Sequence, residues 1–104
     1  MLTTYVFAQL PDEIVGTWQV KDGEMNGTRM IFHRDGAFTS IVTIDGRDIS
    51  IEARVALHDK TLRFTIVNGL TGKQETKTQT IRSLTETEMI VDEGGATSRL
   101  VRVK

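Results

Sequence analysis

His33 and His58 are the side chains best suited to proton transfer, and they are the only histidines in the 104 residues. Each stands in a turn-like sequence, His33-Arg34-Asp35 and His58-Asp59. Neither has a partner at the i, i+4 spacing by which one helix face grips zinc. Ser40, Ser50, Ser83 and Ser98 lack the glycine-flanked elbow that presents a nucleophilic hydroxyl. Glu86 and Glu88 lie in a polar stretch before Met89-Ile90-Val91, where a hydrated face is the expected role. With no cysteine, a thiolate nucleophile, a thiolate metal site and a disulfide framework are all excluded. The expectation is a noncatalytic protein with no metal and no cofactor. An enzyme would require His33 or His58 to meet a carboxylate in a cleft.

Binding is the chemistry that remains, and it depends on which side chains share a face. Five Asx-Gly dipeptides, Asp22-Gly23, Asn26-Gly27, Asp35-Gly36, Asp45-Gly46 and Asn68-Gly69, mark tight turns, because both residue types tolerate positive φ. His58-Asp59-Lys60 and Glu93-Gly94-Gly95 add two more. Between them apolar and polar residues alternate with period two, most clearly in Ile49-x-Ile51-x-Ala53-x-Val55-x-Leu57 and in Leu62, Phe64 and Ile66. The pattern predicts about eight half-buried antiparallel strands, over 15–21, 27–33, 37–45, 48–57, 61–67, 74–84, 87–92 and 96–103. Pro11-Asp12-Glu13-Ile14 suits a short helical turn before the first strand. The fold class is therefore all-β, an antiparallel up-and-down meander. Closing it into a barrel removes two exposed edges.

Strand parity points Trp18, Val20, Met30, Phe32, Phe38, Ile51, Val55, Phe64, Met89 and Val91 inward. Most of such a set is ordinary core. Met30, Phe32, Phe38 and Phe64 are also the candidates to line a cavity, since thioethers and rings adapt to irregular apolar ligands. The sixth strand has no apolar face over Lys73-Gln74-Glu75-Thr76-Lys77-Thr78-Gln79-Thr80. Thr76, Thr78 and Thr80 are the expected inward set there, a polar wall to orient a ligand head.

Gly16-x-Trp18 on the first strand, Asp35-Gly36 followed by Phe38, and the terminal Leu100-x-Arg102-Val103 make the chain resemble the small bacterial lipocalin-like domains over roughly residues 13 to 103. The resemblance implies that Gly16, Trp18 and Arg102 close one end of the barrel, with the guanidinium over the indole. Arg99 is the competing residue for that place. It also implies binding of a small hydrophobic or amphipathic ligand in the barrel or at its mouth. An eight-stranded barrel is only just wide enough for its own side chains or one small ligand. The alternative is a filled barrel that serves as a protein–protein interaction module, for instance as a homodimer.

A net charge of −1, from 13 basic and 14 acidic residues spread along the chain, offers no field for nucleic acid. No stretch approaches the roughly 18 apolar residues of a membrane span. Residues 1–10 are set apart from a single domain over 11–104. Val6-x-Ala8 before Gln9 fits signal cleavage, although no basic segment precedes it. The segment reads either as the end of an export signal, which makes the protein periplasmic or secreted, or as an arm that pairs with the barrel or a neighbouring chain. The cysteine count leaves a cytoplasmic location open.

Overall fold

The computed structural model describes residues 10–22, 26–67 and 70–103. Its strands are β1 (Gly16–Asp22), β2 (Arg29–Phe32), β3 (Ala37–Ile44), β4 (Arg47–His58), β5 (Thr61–Val67), β6 (Gln74–Leu84), β7 (Glu88–Glu93) and β8 (Ala96–Arg102). Each pairs antiparallel with the next, and β8 returns to β1 to close a barrel. Every predicted strand overlaps an observed one.

The turns show why the chain folds back where it does. Asp45-Gly46 (φ 52° and 76°) and Gly94-Gly95 (φ 55° and 90°) each place two residues at positive φ. That geometry matches the twist of a two-residue hairpin. The expected turns at Asp22-Gly23 and Asn68-Gly69 involve residues outside those described. The expected helical turn is one hydrogen-bonded turn, with the Ile14 and Val15 N–H groups donating to the Pro11 carbonyl at 3.0 and 3.3 Å. No helix grows from it among the described residues, because β1 begins at Gly16.

The core runs along the barrel axis from Leu10, Ile14, Trp18 and Leu100 at one end to Met30, Phe38 and Phe64 toward the other. Leu10, which the sequence groups with the N-terminal segment, is only 2% exposed and packs in this core. Segment 10–15 and the turns at 34–36, 59–60 and 85–87 gather at the first end, which is closed. The turns at 45–46 and 94–95 lie at the second.

Among the described residues the second end is open because two hairpins diverge there. The β4–β5 ladder stops at Arg54–Thr65, whereas β3–β4 pairing continues to Ile44–Arg47 and β5–β6 pairing to Val67–Gln74. Ile51 is the casualty. Its parity is inward as expected, but β5 no longer covers it, so it stays 43% exposed rather than joining the core.

Candidate functional site

The closed end is held by one constellation. Trp18 is fully buried and donates its indole N–H to the Ile14 carbonyl at 2.8 Å. Trp18 and Arg102 are register partners across the β1–β8 seam, and the guanidinium carbon lies 4.3 Å from the ring centroid. Arg102 also donates from Nε to the Glu86 carbonyl (2.7 Å), from Nη1 to Val15 (2.7 Å) and from Nη2 to Glu13 (2.6 Å). One cation thus joins the last strand, the β6–β7 turn and the lead-in segment through charge-assisted bonds. Gly16 is required here, because at φ 132° a Cβ would stand 2.7 Å from Arg102 Nη1.

Arg99, the competing residue, faces the other way. It pairs outside the barrel with Asp22 at 2.8 Å and Glu88 at 3.3 Å, and the Asp22 hydrogen bond, then that to Glu88, raises its pKa. Arg102 is the closing arginine.

At the open end a pocket of about 180 Å³ is lined by Met30, Phe38, Ser40, Ile51, Ala53, Phe64, Ile66, Lys77, Gln79 and Glu93. Three of the four apolar residues singled out in the sequence, Met30, Phe38 and Phe64, meet there. Phe32 does not line it. It lies beneath, nearly fully buried, with ring centroids 5.0 Å from Phe38 and 6.3 Å from Phe64, and the Phe38–Phe64 pair at 4.8 Å forms the floor. A volume of this size compares with the roughly 150 Å³ apolar cavity that admits benzene, and falls below the roughly 300–1,000 Å³ of drug-sized sites. It fits one ring or a short alkyl segment.

The threonine wall is corrected. Thr76, Thr78 and Thr80 are exposed on the outer face, opposite Thr65, Arg63 and Thr61 of β5. The inward set is Lys77 and Gln79, opposite Phe64 and Leu62. Gln79 Nε2 approaches Glu93 Oε2 at 3.4 Å. The strand's own pattern gives two conflicting counts: back from buried Ile81, 79 and 77 fall inside, while back from Leu84, 80, 78 and 76 do. A register shift between Ile81 and Ser83 reverses the parity.

Both histidines are exposed beside turns. His33 uses its backbone to close the β2–β3 turn, accepting from Gly36 N–H at 3.0 Å and donating to the Ala37 carbonyl at 2.9 Å. His58 Nε2 lies 3.9 Å from Asp59 Oδ2, with both side chains more than 90% exposed. A larger hollow of about 690 Å³ lies at the closed end between Glu13, Leu84, the 85–87 turn and Arg102. Exposed turn residues form much of it, and the guanidinium beside it is already committed to three carbonyls.

Solved structures with this architecture include a lipocalin-like protein from Bacteroides uniformis. It superposes with a TM-score of 0.75 at 16% identity, covering 88% of this chain and 99% of its own. The fold is a lipocalin-like barrel. An uncharacterized protein from Bacteroides eggerthii shares the barrel with a TM-score of 0.66 at 18% identity, covering 86% of this chain and 98% of its own. No family model and no curated protein matches the sequence. In this lipocalin-like barrel the closed end and the open mouth are distinct: one is filled by Trp18 and its carbonyl-bound arginine partner, and the other leaves apolar surface uncovered.

Proposed function

We propose that this lipocalin-like barrel is a noncatalytic binding protein that takes the apolar part of a small hydrophobic or amphipathic molecule into its open mouth. The observation that carries this reading is the pocket over the Phe38–Phe64 pair, apolar at its floor and bordered on one side by Lys77, Gln79 and Glu93. The apolar part of a ligand is desolvated against rings and methyls, while its polar part stays in water outside the pocket. The Val6-x-Ala8 sequence supports an exported location.

A second reading, an interaction module that pairs with its own copy, is favoured by the β4 edge. Among the described residues that strand has no ladder partner on its β5 side beyond Arg54–Thr65, and unpaired edges invite strand addition.

Calorimetric titration with toluene and with hexanol tests the first reading. Saturable one-to-one binding is expected, weakened at least about tenfold in Ile51→Asp, whose exposed position lets the barrel fold. Absence of saturable binding by either probe, together with a dimer in sedimentation, would favour the second reading.

A further inference from the structure

The open end carries more apolar surface than its pocket uses. On the β3–β4 hairpin the register pairs are Phe38–Ala53, Ser40–Ile51, Val42–Ile49 and Ile44–Arg47. Alternate residues of a strand share a face, so these four pairs form one continuous strip. The first two line the pocket. The rest continue outward, uncovered by β5, which leaves Ile49 and Ile44 45% and 52% exposed. From Ala53 to Arg47 the strip runs roughly 20 Å, at about 3.3 Å per residue.

Charge gives the strip a direction. Arg47, at its far end, is exposed and makes no ion pair among the described residues. Asp45 lies in the adjoining turn, while Asp48 faces the other side, engaged by Thr43 at 2.7 Å and Arg29 at 3.5 Å. At the pocket, by contrast, the Lys77 cation shares its strand face with Glu75 and the lining with Glu93. That wall therefore disfavours an anion. An anionic head is better placed at Arg47 than at the mouth.

We propose that the mouth and the hairpin together bind a single linear amphiphile with a carboxylate head. The end of its chain enters the pocket, its shaft lies along Ile51, Ile49, Val42 and Ile44, and its head pairs with Arg47. This inference rests on the mouth being a ligand site, and adds the shape and charge of the ligand.

Titration calorimetry with hexanoate, decanoate and tetradecanoate, each below its micellar concentration, tests it. Full burial strengthens binding roughly fourfold per methylene. A strip that covers one side of the chain should give about half the free energy, or roughly twofold per methylene. Arg47→Gln should weaken tetradecanoate about two- to fivefold, the range of an exposed ion pair, and leave hexanoate unchanged. Ile49→Asp should flatten the rise of affinity with length. Hexanoate binding with no gain for longer chains, or tetradecanoate binding indifferent to Arg47, overturns the inference while the mouth remains a site. So does a dimer that Ile49→Asp dissociates, which would assign the strip to a second copy. If toluene, hexanol and all three carboxylates fail to bind, the mouth itself is refuted.

Discussion

Replacing Arg102 with Met isolates what the closed end contributes. Methionine keeps an unbranched apolar stem over the Trp18 indole but removes all three bonds to the Glu13, Val15 and Glu86 carbonyls and the cation above the ring. At about 1 kcal/mol net for each hydrogen bond and about 1 kcal/mol for the cation–π contact, the sum is about 4 kcal/mol. Arg102 is half-buried, so water replaces part of this and the expected loss is about 2–4 kcal/mol. That is a large share of the roughly 5–15 kcal/mol that stabilises a domain. Urea unfolding, followed by far-ultraviolet circular dichroism and by Trp18 emission, reads it directly. The midpoint should fall with an unchanged denaturant slope. A loss below about 1 kcal/mol would refute the view that Arg102 ties the seam, the turn and the lead-in segment together. Toluene binding by the folded variant should be unaltered, because the pocket is at the other end.

Two further substitutions probe neighbouring claims. Gly16→Ala should cost about 2 kcal/mol or more, since it combines a strained φ with a clash against Arg102, and the penalty should shrink in the Arg102→Met background; equal penalties in the two backgrounds would deny the contact. Thr78→Val, on the outer face, should change stability by no more than about 0.5 kcal/mol and leave hexanol affinity unchanged; a shift in affinity would return the threonine row to the pocket wall.

The architecture was legible because each strand signals itself locally. Asp45-Gly46 and Gly94-Gly95 announce hairpins through positive φ, and the alternation of Leu62, Phe64 and Ile66 reports a buried face. Trp18 and Arg102 were legible as the ends of the meander, and the register placed them opposite each other. Two features lay beyond local pattern. The parity of β6 depends on a bulge near Arg82, which exchanges Thr78 for Lys77 on the inner face. The exposure of Ile51 depends on where β5 leaves β4, a property of two strands together. The polar side of the pocket was hidden for the first reason and its opening for the second.

Where a ligand sits is the question on which the proposal turns. Methyl-resolved nuclear magnetic resonance spectra, recorded while hexanol is titrated into the protein, answer it. The mouth site predicts saturable shifts at Met30, Ile51, Ala53 and Ile66, with Ile14 and Met89 at the closed end unmoved. Shifts centred on Ile14 and Met89, or none at any methyl up to saturation with hexanol, would contradict it.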